Sequence, residues 1–204
     1  MKRVIFSLGI VILFSSCNRI VMIAAGTHNP EKPRHLGKLK NCLEDLGSRT
    51  DNVVFPKDTT AYMKTLSKYL KRLPFLDAYL QDGRRIVIDD STKCSNPNAD
   101  FTKSICSGKY FAIDEKRTLQ EDLKNYISVP MVSSEKPYTS EQFSPVPFDS
   151  TYDYTVIVYW AYWGGRLNKM YTAPWEKNLL SQTACKVRVI KVAMDFTYEV
   201  PNYY

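Results

Sequence analysis

Two stretches rich in β-branched and aromatic residues lie close together near the C-terminal end of the chain. The first runs from Tyr154 to Ala161 and is followed by the step Trp163-Gly164-Gly165. A pattern with helical spacing extends from Arg166 to about Gln182, and the second stretch covers residues 186–195. Strand, glycine turn, helix and strand in this order predict a βαβ unit with two parallel strands.

The middle of the chain carries shorter patterns. The predicted elements are, in order, helices at 38–46 and 61–73, one further helical turn at 76–80, strands at 84–89 and 109–114, and a helix at 115–127. Asp58 and Asp114 provide N-caps for the second and the last of these helices. Residues 128–147 combine several prolines with Ser, Glu and Thr, which is typical of a linker.

The first residues have the layout of an export signal. Lys2 and Arg3 form a positive region, and an uncharged apolar run from Val4 to Phe14 follows. This run is too short to span a bilayer unaided. The order Leu13-Phe14-Ser15-Ser16-Cys17 resembles a bacterial lipobox, in which Cys17 would carry lipid and become the mature N-terminus. Phe14 departs from the usual aliphatic residue, so an ordinary signal peptide or an uncleaved anchor extended by residues 20–25 are the alternatives.

These boundaries divide the chain into a signal peptide (1–16), a lipid-anchored tether (17–37) and one α/β domain (38–204). Within the domain, residues 38–127 form an N-terminal part, 128–147 the linker, and 148–204 the βαβ unit. The tether contains prolines and few apolar residues. We therefore expect a protein of the cell envelope, anchored to a membrane by the lipid on Cys17 at either its periplasmic or its surface face.

The composition of the chain argues against several classes of function. The chain has a net charge of +7, but its basic residues are scattered rather than grouped in a stripe, so no nucleic-acid partner is expected. The two histidines, His28 and His35, both lie in the tether. A histidine metal cluster and a Ser-His-Asp triad are therefore not expected. Asp89, Asp90 and Asp100 lie among Ser, Thr and Asn, which favours turns over metal ligation.

Five cysteines are present, and four remain if Cys17 carries lipid. Cys94 and Cys106 are close in a polar segment, which favours a disulfide between them in an oxidising compartment. Cys42 and Cys185 either pair or remain as buried thiols. A redox-active Cys94–Cys106 pair is the functional alternative, although no Cys-x-x-Cys spacing is present.

Residues 154–196 resemble the first half of a thioredoxin fold. In that family an apolar strand leads into Phe/Tyr-Trp-Ala-x-Trp and then into Cys-Gly-Pro-Cys, which opens a helix. Tyr159, Trp160, Ala161 and Trp163 match this phrase in type and order, and Gly165 matches the glycine between the two cysteines. Downstream, the segment 174–177 resembles the family's Pro-x-x-Glu about two residues late, which predicts an altered first turn of the helix.

The resemblance implies a fold but not the family's chemistry. Gly164 and Leu167 stand where the two cysteines would be, and Val158 stands in place of the buried carboxylate. A thiolate at a helix N-terminus and a second thiol are both required for thiol–disulfide exchange. The C-terminal strands that the family adds are also missing. We expect an α/β protein with a thioredoxin-like βαβ core, a central sheet flanked by helices, and an atypical or truncated C-terminal half completed by the middle of the chain.

The sequence thus predicts an envelope lipoprotein with a redox-inactive thioredoxin-like domain that acts as a binding or structural module, without a cofactor or a bound metal. The expected contact region is an exposed aromatic and glycine-rich edge, which could also bind an anion through free N–H groups. Its residues are Trp160, Trp163, Gly164, Gly165 and Arg166. The partner would be another envelope protein. The alternative is an envelope thiol–disulfide oxidoreductase that uses Cys94 and Cys106.

Overall fold

The computed structural model describes residues 32–71, 76–88, 97–109 and 112–200. The predicted signal peptide, Cys17, most of the tether and Cys94 lie outside these residues. Five α-helices and eight strands are present in the described part. The helices are α1 (Leu36–Asp45), α2 (Thr59–Lys71), α3 (Pro97–Ser104), α4 (Leu119–Leu123) and α5 (Ala173–Leu180). The strands are β1 (Val53–Pro56), β2 (Leu76–Leu80), β3 (Arg84–Val87), β4 (Ala112–Thr118), β5 (Tyr126–Ser128), β6 (Ser144–Pro145), β7 (Tyr154–Trp160) and β8 (Val187–Ala193).

All eight strands form one mixed sheet in the order β4-β3-β2-β7-β8-β1-β5-β6. The adjacent strands β7, β8 and β1 run parallel to one another. The hairpin β2–β3 pairs antiparallel with the free side of β7, and β5 pairs antiparallel with β1. The protein is therefore a mixed α/β structure, in which the middle of the chain completes the sheet around the C-terminal βαβ unit.

Helices cover both faces of the sheet. Side chains of α1, α2 and α4 pack on one face together with Tyr79, Ile157 and Ile190. Side chains of α3 and α5 pack on the other face together with Val156 and Val189. Because successive residues of a strand point to opposite faces, a strand covered on both sides reads as an unbroken apolar run. This explains the composition of β7, which is buried from Thr155 to Trp160.

Several predicted elements are confirmed. The two strands of the βαβ unit are β7 and β8, and they are adjacent and parallel. The helix predicted at 61–73 is α2, and the strand predicted at 84–89 is β3. The helical pattern that follows Gly165 contains α5.

One predicted helical turn is wrong, and the helix predicted at 115–127 is confirmed only over Leu119–Leu123. Residues 76–80 form β2, an inner strand, because Leu76 and Ala78 face one helical layer while Asp77 and Tyr79 face the other. Residues 115–118 complete β4, and α4 begins only after Thr118, whose side-chain oxygen accepts a hydrogen bond from the Glu121 N–H. The capping signal is therefore Thr118 with Glu121 rather than Asp114.

Three short strands were missed. Residues 126–128, assigned partly to the last predicted helix, form β5, and β6 lies inside the predicted linker 128–147. The third, β1, has only four residues. Such short strands carry too few alternating positions to be recognised from periodicity.

The last residues of the predicted tether belong to the fold. The Arg34 N–H donates to the Phe196 carbonyl at 2.9 Å, and the Tyr198 N–H donates to the Arg34 carbonyl at 3.1 Å. Helix α1 begins at Leu36, whose N–H donates to the buried Glu199 carboxylate. The chain that precedes α1 therefore joins the domain beside the segment that follows β8.

The disulfide pattern differs from the expected one. Cys106 is bonded to Cys185 rather than to Cys94, and Cys42 is a free thiol. Closeness in sequence was misleading, because Cys106 follows α3 and Cys185 precedes β8 on the same face of the sheet. Both cysteines pack against the core that α3 and α5 share. The bond joins positions 79 residues apart and thereby holds α3 to the βαβ unit.

Replacing both Cys106 and Cys185 with Ser is expected to lower the free energy of unfolding by about 2–4 kcal/mol, because the bond closes a long loop in the unfolded chain. Urea unfolding of the oxidised protein and of the double variant measures the difference. The control is Cys42→Ser, which breaks no bond and should cost about 1 kcal/mol or less. Equal stability of the double variant and the parent would contradict a structural role for this bond.

Candidate functional site at the carboxyl ends of the parallel strands

The strands β7, β8 and β1 point in the same direction, so their carboxyl ends meet at one edge of the sheet, which we call the carboxyl edge. In open α/β sheets this is the edge where ligands usually bind. The predicted contact region, 160–166, follows β7 at this edge, and Asp195 follows β8. Two segments from other parts of the chain, Arg34 and Tyr62, also reach it.

The turn after β7 is tightly defined. Tyr162–Gly164 form one turn of 3-10 helix, and Gly165 follows with φ of 50° and ψ of −119°. A π-helical segment, Asn168–Thr172, then precedes α5, which has Pro174 in its first turn. The helical segment after Gly165 therefore contains a π turn, and Pro174 stands in the first turn of α5. Its late position relative to thioredoxins stays a prediction.

The expected exposed aromatic edge is wrong. Trp160 is fully buried, Trp163 is 3% exposed, and Gly164 is buried as well. Trp163 donates its indole Nε1–H to the Met194 carbonyl at 3.2 Å, which joins the turn to the end of β8. Of the five predicted contact residues, Arg166 is exposed, Gly165 is half-buried, and the other three are buried. The aromatic residues that match thioredoxin therefore serve the core.

Asp195 holds this edge together. Its side chain is 2% exposed, and its Oδ2 accepts the Tyr162 N–H at 2.6 Å. The Trp163 N–H also donates to this carboxyl group, and Arg34 Nε lies 3.9 Å from Oδ1. Burial raises the pKa of Asp195 to about 7, since the loss of solvent outweighs these favourable contacts.

The backbone donors of the turn are already in use. Asp195 accepts the N–H groups of Tyr162 and Trp163. The Gly164 N–H donates to the Ala161 carbonyl at 2.8 Å, and the Gly165 N–H donates to the Tyr162 carbonyl at 3.2 Å. An external anion would have to displace these internal acceptors. The turn is therefore a closed corner, in contrast to the anion-binding turn that free N–H groups would provide.

No described thiol at this edge is suited to nucleophilic attack. Cys42 in α1 is the free cysteine of the described residues. Burial, with smaller contributions from Asp195 and Asp45, raises the pKa of the Cys42 thiol to about 11. Catalytic cysteines have the opposite shift, because the thiolate is the reactive form. Cys185 stands just before β8, at the other end of the parallel strands, so the Cys106–Cys185 bond lies away from the glycine turn.

A buried network of charged and phenolic groups was not found from the sequence. Asp77 of β2 accepts hydrogen bonds from Arg85 at 2.7 and 2.9 Å through one oxygen, and from Tyr159 and Arg117 at 3.1 Å through the other. Arg117 Nε also donates to Asp122 Oδ2 at 2.7 Å. The same Asp122 oxygen accepts from the Tyr79 hydroxyl. We call these six residues the Asp77 network.

The Asp77 network occupies the face beneath α4, one strand away from Val158. Val158 is fully buried in the apolar core of the opposite face. Burial raises the pKa of Tyr79 and Tyr159 well above the usual range. Their hydroxyl groups therefore stay protonated and act as donors. The one signal in the sequence was the alternation of Asp77 and Tyr79 with apolar neighbours.

A second buried ion pair lies under α5. Lys191 of β8 donates to Glu176, and both side chains are almost fully buried. Glu176 also lines an open groove of about 1020 Å³ that extends along α5 toward the end of α1. The pair joins α5 to β8, but burying the two charges is costly. Burial lowers the pKa of Lys191, and Glu176 Oε2 has no hydrogen-bond partner.

The described residues contain no group of three or more His, Cys, Asp or Glu side chains arranged to hold a metal ion. In the same part of the chain, no helix has the length and apolar character needed to cross a bilayer.

Replacing Gly165 with Ala is expected to lower the free energy of unfolding by about 1–3 kcal/mol, because the backbone at this residue has a conformation that side chains with a Cβ rarely adopt. Thermal or urea unfolding tests this. Gly164→Ala is the comparison, since Gly164 lacks a positive φ and its added Cβ would lie 3.2 Å from Asn168 Oδ1. A Gly165→Ala protein as stable as the parent would show that the turn is not constrained.

Comparisons with known proteins found no match to the chain among family models, curated sequences or solved structures.

Proposed function

We propose that this chain is an envelope lipoprotein, anchored through Cys17, whose thioredoxin-like domain has no redox activity and serves as a binding or structural module. The thioredoxin-like description is part of the proposal. It is supported by the adjacent parallel strands β7 and β8, and by the Trp-Ala-x-Trp phrase that leads into the glycine turn. The antiparallel hairpin β2–β3 occupies the sheet edge that the family fills from its C-terminal part.

The proposed absence of redox activity rests mainly on one observation. The turn where the family has its two cysteines contains Gly164 and Leu167, and Asp195 binds the N–H groups with which that turn begins. No thiolate can form at this helix start. The free thiol of Cys42 has a raised pKa, so it cannot substitute for a low-pKa nucleophile.

The disulfide supports the proposed location. A bond between Cys106 and Cys185 forms and persists in an oxidising compartment, which agrees with export directed by the first sixteen residues. The oxidoreductase alternative loses its proposed pair, because the partner of Cys106 is Cys185 and not Cys94.

Insulin reduction by the full chain purified from a bacterial envelope tests the missing redox activity, with a thioredoxin as the positive control. The expected rate equals the uncatalysed background, both for the parent and for Cys106→Ser. A rate above background that disappears in Cys106→Ser would overturn the proposal in favour of a thiol–disulfide enzyme.

A further inference from the structure

The carboxyl edge combines exposed cations with buried carboxylates. Asp195 is 2% exposed and Glu199 is fully buried, and both accept hydrogen bonds from the chain itself. Lys38, Arg166 and Lys169 are exposed. These three exposed cations lie above two buried carboxylates, and the exposed Asp45 lines the same groove as Lys169.

The positive groups gather around the turn after β7. The Arg34 guanidinium lies 4.4 Å from the centre of the Tyr162 ring, and Lys38 Nζ lies 5.3 Å from it. Arg166 and Lys169 begin the helical segment that follows the same turn. Glu135 and Lys136, which follow Ser134, are both exposed and of opposite charge, and the Ser134 N–H donates to the Glu199 carboxylate at 3.4 Å.

Exposed apolar and aromatic side chains accompany these cations. Met170, next to Lys169, is 61% exposed, and Tyr198 is 46% exposed. The Tyr198 ring lies 4.6 Å from the ring of His35. Protruding apolar and aromatic groups among cations are typical of surfaces that rest in the headgroup region of a bilayer.

The path of the chain brings this edge toward the proposed anchor. Residues 34–36 join the domain at the carboxyl edge, where Arg34 pairs with the segment that follows β8. The chain from Cys17 to Arg34 reaches at most roughly 60 Å when fully extended. A lipid on Cys17 would therefore be joined to the domain at this edge through a tether of that length.

We infer that the carboxyl edge is the membrane-facing surface of the domain and binds anionic lipid headgroups through Lys38, Arg166 and Lys169, with Met170 and Tyr198 inserted among the headgroups. The inference deepens the proposed function, since it rests on the membrane anchor at Cys17. Each cation near an anionic bilayer increases the affinity for that bilayer about fivefold.

Sedimentation with lipid vesicles tests the surface without the anchor. The chain from residue 17 onward carries Cys17→Ser, so that no lipid is attached, and is mixed with vesicles of phosphatidylcholine alone or with a third of phosphatidylglycerol. We expect binding to the anionic vesicles and a roughly thirtyfold weaker partition coefficient for the double variant Arg166→Ala, Lys169→Ala. Both residues are exposed, and unchanged thermal unfolding checks that this variant is folded.

The matched control replaces two exposed lysines elsewhere, Lys64 of α2 and Lys116 of β4, with Ala. This pair should retain most of the binding. An equal loss in both double variants would overturn the inference, because binding would then follow net charge alone. Failure to bind anionic vesicles would overturn it as well. Neither result depends on whether Cys17 is lipidated in the native protein. The mass of the native protein tests that question independently.

Discussion

Replacing Asp77 with Ala is expected to lower the free energy of unfolding by about 3–5 kcal/mol, the largest effect of any single substitution considered in this protein. Asp77 is 1% exposed and accepts hydrogen bonds from Arg85, Arg117 and Tyr159. Its removal leaves two guanidinium groups, only 17% and 23% exposed, with fewer negative partners. A buried charge without its counter-charge is costly because protein does not solvate it as water does.

Urea unfolding of the parent and of Asp77→Ala measures this effect. The control is Asp82→Ala, which also removes an aspartate bonded to an arginine, Arg84, in a neighbouring turn. Both side chains of that pair are about half exposed, so the expected cost is at most about 1 kcal/mol. If the two variants were equally stable, the Asp77 network would not contribute to stability through its burial.

Replacing Asp195 with Asn is expected to make the protein less sensitive to alkaline conditions. The pKa of Asp195 is raised from 3.8 to about 7, chiefly by burial. Below about pH 4 the carboxyl group is protonated in both the folded and the unfolded chain, so its ionisation does not change the free energy of unfolding there. Between pH 4 and 7 the unfolded chain ionises while the folded protein keeps its proton, so stability falls as the pH rises.

This group alone removes on the order of 4 kcal/mol of stability between pH 4 and pH 8, from a pKa shift of roughly three units. Asn keeps an oxygen that can accept the Tyr162 N–H and does not ionise. Relative to the parent, Asp195→Asn should therefore gain about 2–4 kcal/mol in the free energy of unfolding from pH 4 to pH 8. Urea unfolding at the two pH values measures both differences.

Asp149→Asn provides a control of opposite sign. Hydrogen bonds from Thr151 lower the pKa of the exposed Asp149 carboxyl group, so its contribution is present above its unfolded pKa and is lost as the pH falls. That variant should lose stability relative to the parent at the higher pH. A difference between parent and Asp195→Asn that is the same at pH 4 and pH 8 would contradict a protonated Asp195 in the folded protein.

The parts of the fold that the sequence predicts well are those with long, strongly patterned segments. The strands β7 and β8 have seven residues each and are buried on both faces, and α2 has a helical pattern over thirteen residues. Such segments reveal their structure locally, because burial on two faces or along one stripe determines the residue type at nearly every position.

The errors concern elements whose structure depends on distant partners. The sequence of β2 predicted a helical turn, because five residues are too few to distinguish the helical spacing of apolar residues from the alternation of a strand. The pairing of β2 with β7 and β3 makes it a strand. The Cys106–Cys185 bond depends on the placement of α3 against the βαβ unit, which spacing along the chain does not reveal. Local patterns cannot specify either contact.

The contact region at 160–166 stays a prediction, but the expected exposure of its two tryptophans is wrong. The sequence identified a glycine turn at 160–166 that contains no cysteine, yet it placed Trp160 and Trp163 on the surface. Their burial follows from the position of β7 in the middle of the sheet, with β2 on one side and β8 on the other. Asp195 was seen only as the end of a strand, since its bond to the Tyr162 N–H exists only after the two strands are aligned.

The central claim, an anchored protein without thiol chemistry, is tested most directly by the intact mass and the thiol count of the native protein purified from a bacterial envelope. We predict a chain that begins at Cys17 with a lipid-sized mass increase. Alkylation after unfolding should gain two thiols on addition of reductant, those of Cys106 and Cys185. An unmodified Cys17, or a Cys106–Cys185 bond that mild reductant opens in the folded protein, would contradict the account.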